Sequence, residues 1–459
     1  AVAAEEAIGL YQAAGEPTQA RLAQLELAYA HGLAGDLRAL EDGARRVLAD
    51  AESAGDHHAS LQALGILGTA AFYQGRFAEA EGRLRGSVAM ARQAGKLYRV
   101  TWGLMSLGWS LGFEGRVDEA LAAFQEAKSV PGWRDSNVLE LEAQVRWLTG
   151  DYAGSLACAR EAVVLNPGGL SRRRAHGLCS AALSAVETDQ LDEARRNVGT
   201  ALRIYGDRIW FIASGFAQHP AGVLAWREGR LADAISALRR GSDGLMAMGA
   251  IAFAAPILVD LAEVAFEAAL PAEAEAAAMQ LDRMACETDR DLFRAYTCLA
   301  RAWAAIALGQ AAQGEAAARE VSGLLPAHGF ATLRGRALVA CACAQASRCG
   351  SGELRALSDA AAIFESTGAL WRRDRVVEAL RARGREGLRA ADAVRGAEGI
   401  TVRELQVARL AAQRLTAKEI GDRLFISRRT VEAHLARVYV KLGVASKGEL
   451  ARRLTELTA

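Results

Sequence analysis

An all-α fold is predicted for this chain of 459 residues, and three observations carry the prediction. Hydrophobic residues make up 51% with Ala heavily used, Pro falls to 7, and the Val-, Ile- and Thr-rich runs that make strands are scarce. A turn phrase returns along most of the chain at a nearly constant interval. The last sixty residues carry one helix-start signal after another. The expected architecture is a superhelix of helix pairs followed by a small four-helix module.

The recurring phrase is a bulky residue, any residue, Gly, Arg or Asp, a bulky residue, any residue, Asp or Glu, and Ala. It reads Tyr73-Gln74-Gly75-Arg76-Phe77-Ala78-Glu79-Ala80, then Phe113-Glu114-Gly115-Arg116-Val117-Asp118-Glu119-Ala120. Weaker copies surround Gly150-Asp151-Tyr152, Asp189-Gln190-Leu191 and Gly229-Arg230-Leu231, with degenerate ones near Gly35-Asp36-Leu37, Leu270-Pro271, Gly309-Gln310 and Gly350. Successive turns lie roughly 35 to 41 residues apart, within the range of helix–turn–helix solenoids. Gly ends one helix in a left-handed conformation at little steric cost. The next Arg or Asp bridges the turn, and the bulky residue and Ala let the second helix pack closely. One pair cannot bury its apolar stripes alone, so pairs stack. The pattern resembles tetratricopeptide repeats with lengthened units and implies eight or nine pairs.

The stacked body offers a concave face for an effector or protein partner; a plain spacer is the alternative. Trp210, Phe211 and Phe216 are candidates for a groove floor or for the core. Arg172-Arg173-Arg174, after Asn166-Pro167-Gly168-Gly169, is expected in a solvated loop. Met246 to Val264 is the most apolar stretch, but it carries Asp260 and Glu263 and reads as buried helix rather than a membrane span. The 7 Cys show no disulfide spacing, and Cys341, Cys343 and Cys349 read as small core residues. This usage points to a reducing cytoplasm. The opening Ala-Val-Ala-Ala-Glu-Glu reads as the second half of a repeat, so a longer parent chain is expected.

The net charge of +1 hides a division. From Ile400 onward twelve Arg or Lys face six Asp or Glu, which leaves the rest acidic by five. A basic end on an acidic body is the asymmetry of a nucleic-acid-binding terminus. Composition changes after Trp371, and the expected division is a repeat domain at 1–385, a linker at 386–397 and a terminal module at 398–459.

Thr401-x-x-Glu404, Thr416-x-x-Glu419 and Ser446-x-x-Glu449 are capping boxes, and Ser427 caps without a returning Glu. They predict helices at about 402–413, 417–424, 428–442 and 447–457. On the third helix Val431, Leu435, Val438 and Leu442 form one apolar stripe, facing Val407, Leu410, Ile420 and Leu424. Opposite lie Arg429, Ala433, Ala436 and Val440, flanked by Glu432 and Arg437. In a helix-turn-helix that face enters the major groove, where small residues allow close approach and Arg or Glu reach base edges. Ser427, Arg428 and Thr430 sit at the helix N-terminus, where free N–H groups favour phosphate.

This stretch resembles the DNA-binding domain of LuxR-type bacterial regulators. The matching residues are Thr401-x-Arg403-Glu404-x-x-Val407, Lys418-Glu419-Ile420, Leu424-Phe425-Ile426-Ser427-x-Arg429-Thr430-Val431-Glu432-x-His434 and Lys441-Leu442-Gly443-Val444. The resemblance implies that Lys418 and Ser427 to Thr430 hold phosphates, that Glu432, Ala433 and Ala436 face the groove, and that Leu450 and Leu454 dimerise. Thr416, Arg437 and Lys441 complete the DNA-contacting set. The family commonly has Lys at the positions of Glu432 and Ala436 and Gly at that of Arg414, so the departures bear on sequence preference. His434 is expected to be structural.

Body and module together resemble the C-terminal half of large ATP-dependent, MalT-like LuxR regulators. That implies a superhelical sensor, self-association on double-stranded DNA and an ATPase domain upstream. The chain itself contains no Gly-x-x-x-x-Gly-Lys-Ser/Thr, and no cofactor, metal or catalytic constellation is expected in it. A protein scaffold with accessory DNA binding is the second reading.

Overall fold

The computed structural model describes residues 2–458, apart from 132–135, 167–171, 206–210, 289, 326–328, 347–351, 394–401, 414, 425 and 445. Among the described residues there are twenty-four helices and no strand. The chain divides into two compact units, Ala1–Arg373 and Asp374–Ala459.

The body begins with α1 (Val2–Ala13), α2 (Pro17–Leu33), α3 (Leu37–Ser53), α4 (His57–Tyr73), α5 (Phe77–Gln93), α6 (Leu97–Phe113) and α7 (Val117–Ser129). It continues through α8 (Ser136–Thr149), α9 (Tyr152–Leu165), α10 (Arg172–Glu187), α11 (Leu191–Tyr205), α12 (Phe211–Arg227) and α13 (Leu231–Ala247). Then come α14 (Ile251–Glu267), α15 (Pro271–Thr288), α16 (Asp291–Ala307), α17 (Ala311–Leu324), α18 (Ala331–Ala346), α19 (Glu353–Thr367) and α20 (Leu370–Ala393). Nine pairs, α2/α3 to α18/α19, pack within themselves and against their neighbours.

The rhythm is finer than the forty-residue phrase. Helices α2 to α6 are each 17 residues long, and Gly15, Gly35, Gly55, Gly75, Gly95 and Gly115 all turn with positive φ. The same turn therefore closes each pair and joins it to the next, so the sequence unit is a doublet of similar halves. Two devices follow the glycine. Asp36, Asp56 and Asp151 cap the next helix by accepting from the backbone N–H groups of Ala39, Ala59 and Gly154. Arg76 and Arg116 have no acceptor and instead tie adjacent units, Arg76 to Glu41 and Glu79, Arg116 to Glu81 and Glu119.

Ten helices complete one superhelical turn, and the second turn rests on the first. A Cβ on Gly75 would meet Thr288 at 2.6 Å and Ile251 at 2.9 Å. Glu114 pairs with Arg290 at 3.6 Å, and the Phe330 N–H donates to the Thr149 carbonyl at 2.9 Å. The expected concave groove is consequently occupied by side chains. Phe253 of α14 meets Phe72 and Tyr73 of α4, Trp109 and Phe113 of α6, and Phe216 of α12, with ring centroids 4.9 to 5.4 Å apart. Phe216 thus takes a packing role; Trp210 and the Phe211 side chain lie outside the described residues.

Asp260 and Glu263, on the most apolar helix, have a specific reason to be buried. Arg336 binds Asp260 at 2.8 Å and Glu263 at 2.6 Å, while His219 Nε2 lies 2.8 Å from Asp260. Next to them Arg372 binds Glu187 at 3.0 Å. Such charges are tolerated inside only because each is paired. The lumen around this network keeps cavities of about 40 and 20 Å³. A wider cleft, about 640 Å³, opens between residues 34–38 and 246–251.

Two expectations change, those for the Arg172 triplet and for the linker. The Arg172 triplet opens helix α10 instead of lying in a loop, and Arg174 donates to the carbonyl of Asn166 at 2.9 Å beyond the end of α9. Cys341 is buried and Cys343 half-buried, while Cys349 lies outside the described residues. Helix α20 runs on to Ala393, into the stretch 386–397 expected as a linker, whose last four residues are not described. No helix among the described residues is long and apolar enough to cross a membrane.

Candidate nucleic-acid interface

The second unit ends in four helices, α21 (Val402–Ala412), α22 (Ala417–Leu424), α23 (Arg428–Leu442) and α24 (Lys447–Thr458). Their bounds follow the caps. The Thr416 N–H donates to Glu419 at 2.7 Å while the Glu419 N–H donates to the Thr416 hydroxyl at 3.3 Å, a closed capping box. The Thr430 N–H donates to Ser427 Oγ at 3.1 Å, and the Glu449 N–H to Ser446 Oγ at 3.2 Å. Thr401, the expected first cap, lies outside the described residues. Gly443 ends α23 with φ 62°, and the Val444 N–H returns to the Tyr439 carbonyl at 3.0 Å.

Val407, Ile420, Val431, Leu435, Val438 and Leu442 close a separate small core, with Leu410 and Leu424 partly buried at its edge. His434 is buried, in the structural position expected of it. Burying this stripe turns the other face of α23 outward: Arg429, Glu432, Ala433, Ala436, Arg437 and Val440 are all exposed. At its N-terminal end stand Ser427 and Arg428, exposed, and Thr430, half-buried; Lys418 is exposed on α22. Arg428 Nε donates to Glu432 at 2.7 Å, and this contact raises the Arg428 pKa further. Arg437 Nε donates to the Ala433 carbonyl at 3.2 Å. Thr416 and Glu419 are committed to each other, and the Thr416 N–H and hydroxyl hold the Glu419 carboxyl below the usual range.

Three site residues stand differently from expectation. Lys441 does not project as a free cation: its ammonium binds the buried Glu404 at 2.7 Å and ties α23 to α21. Leu450 and Leu454, expected to dimerise, are 0% and 7% exposed in the module's own core. They hold α24 in place, so any self-association surface on this helix is made of its other residues. The residue that sequence reasoning missed is Gly421. A Cβ there would stand 2.6 Å from the Ile426 carbonyl oxygen, and the Ile426 N–H donates to the Gly421 carbonyl at 3.0 Å. The α22–α23 turn folds directly over this glycine. Its signal in the sequence was a Gly inside a short helical pattern, a mark of close backbone approach.

Two helices set by a tight turn, the second presenting a basic N-terminus and an uncovered face, define a helix-turn-helix module carried on a helical-repeat body. Residues 398–454 match the family described as "Bacterial regulatory proteins, luxR family", so the chain carries a LuxR-type helix-turn-helix domain at its C-terminal end. The HTH-type transcriptional regulator Mb0914c of Mycobacterium bovis is 48% identical over 56 residues, which are 12% of this chain and 6% of that protein. UhpA, a transcriptional regulatory protein of Escherichia coli K12, is 47% identical over 55 residues, 12% of this chain and 28% of its own length. The chain thus matches only 6% of the length of the mycobacterial relatives.

Among solved structures, a Rap protein complexed with competence and sporulation factor is 13% identical, with a TM-score of 0.49, over 80% of this chain and 100% of that one. A human IFIT1 dimer with m7Gppp-AAAA gives 16% identity and a TM-score of 0.43, over 95% of this chain and 90% of that one.

Proposed function

We propose that this chain is a transcriptional regulator that seats α23 in the major groove of double-stranded DNA and receives a signal through its repeat body. The carrying observation is the outward face of α23, which has Arg429 and small residues where a base edge must be approached and which the module's own core leaves uncovered. The sensor occupies 1–385, the connection 386–397 and the DNA-binding module 398–459. Self-association, with α24 at the contact, would place two copies on neighbouring half-sites. On this reading the arrangement resembles the sensor and output halves of MalT-like regulators.

Among the described residues, the two lumen cavities of about 40 and 20 Å³ suit a few water molecules rather than an effector of ordinary size. The cleft at 34–38 and 246–251 is the roomier place for a small molecule.

The test is DNA selection with the full chain, followed by affinity measurement on the Arg429→Ala, Arg437→Ala double variant. Binding should weaken at least about tenfold, the loss of roughly 1.4 kcal/mol or more expected from removing two such contacts. Unchanged affinity would favour the scaffold reading, in which the repeats act and the module is accessory.

A further inference from the structure

We infer that the exposed face of α23 reads thymine methyl groups and that Val440 is a specificity-determining residue. The inference rests on the DNA-binding reading above and narrows it to a base chemistry. Val440 is 83% exposed, more than any other large hydrophobic side chain among the described residues. The fold gains nothing by holding an isopropyl group in water at that position. Ala433 and Ala436 lie on the same side of the helix, three and four residues apart from one another and from Val440. At a rise of about 1.5 Å per residue, Ala433 to Val440 covers roughly 10 Å, close to three base-pair steps of about 3.4 Å.

None of the three side chains can hydrogen-bond, so none can pair with guanine N7 and O6 or with adenine N7 and N6. The group they can bury in the major groove is the C5-methyl of thymine. The polar neighbours have partners on the helix itself. Glu432, the residue type that would accept from cytosine N4, pairs with Arg428 at 2.7 Å, an exposed contact that is weak by itself. Arg437 Nε is turned back onto the Ala433 carbonyl at 3.2 Å. Arg429, at the N-terminal end of the face, is the polar base reader, and the Nη groups of Arg437 are left for phosphate. The predicted half-site is therefore a short run of thymines, with a purine contacted by Arg429 at one end.

The experiment uses the full chain and the duplex it selects from a random library. Each thymine of the selected half-site is replaced by uracil, which differs only by the missing methyl. Removing a methyl that α23 buries should weaken binding about three- to fivefold per position. Val440→Ala, at so exposed a site, leaves the fold intact by circular dichroism. It should weaken binding to a similar extent and abolish the response to uracil at the one base pair Val440 faces. Sequence-specific binding that tolerates uracil at every thymine would overturn the inference and leave the DNA-binding reading standing. A chain that binds no duplex even at low salt would remove the underlying reading as well.

Discussion

The indole N–H of Trp371 donates to the Glu187 carboxylate at 2.8 Å, although 184 residues separate the two. Arg372 Nε reaches both oxygens of the same carboxylate at 3.0 and 3.1 Å, with its guanidinium 4.6 Å from the Trp371 ring centroid and 5.1 Å from that of Trp226. Glu187 ends α10 and Trp371 lies in the first turn of α20, so this cluster marks where the last helix of the body returns onto the first superhelical turn.

Glu187→Ala should be among the most damaging single changes in the body. It leaves Arg372, which is 5% exposed, with Glu263 at 3.8 Å as its nearest remaining carboxylate among the described residues. A loss of about 3–5 kcal/mol is expected by urea unfolding. Glu187→Gln keeps an acceptor for Trp371 and should cost measurably less.

Asp260 gives the body an acid limit. Burial works to raise its carboxyl, but Arg336 and His219 outweigh burial and hold it at about 2. The folded pKa lies below the unfolded value, so the stabilisation is present above about pH 4 and is lost as pH falls towards 2. Asp260→Asn should be less stable at neutral pH and show a shallower fall across that window in pH-dependent unfolding.

Much of this was legible in the residues. The recurring turn phrase announced helix pairs, and the capping boxes gave the module's helices to within a residue or two because a cap is a local hydrogen bond. What local pattern cannot carry is register between distant repeats. Asp260 and Glu263 showed as charges in an apolar stretch, but only the return of the superhelix brings Arg336 to them. The ion pair of Lys441 was hidden for a similar reason, since its carboxylate partner, Glu404, lies on another helix. Leu450 and Leu454 could be assigned equally to a core or an interface by their spacing alone.

Ala269 is a turn residue at φ 55°, at a turn like those where most of the body uses Gly. Ala269→Gly should remove a left-handed strain of roughly 1 kcal/mol, partly offset by the freedom gained in the unfolded chain. A net gain of about 0.5 kcal/mol is expected by chemical unfolding.

Gly421→Ala should act in the opposite sense. The new Cβ presses on the Ile426 carbonyl, a backbone atom that cannot rotate away. A cost of about 1–3 kcal/mol and a lost α22–α23 turn are expected in thermal unfolding and amide spectra.

Lys441→Ala separates stability from binding. It deprives the buried Glu404 of its ammonium partner, at an expected cost of about 2–3 kcal/mol. Measured where the module remains folded, DNA affinity should change less than it does for Arg429→Ala.

The central claim is that the module grips a polyanion through α23. It is tested most directly by the affinity of the full chain for its selected duplex as a function of salt. If a few phosphates are neutralised, log affinity falls linearly with log salt and drops at least about tenfold between roughly 50 and 200 mM. The Arg429→Ala, Arg437→Ala variant should bind more weakly with a shallower slope. Affinity independent of salt, or identical lines for the two proteins, would contradict the account.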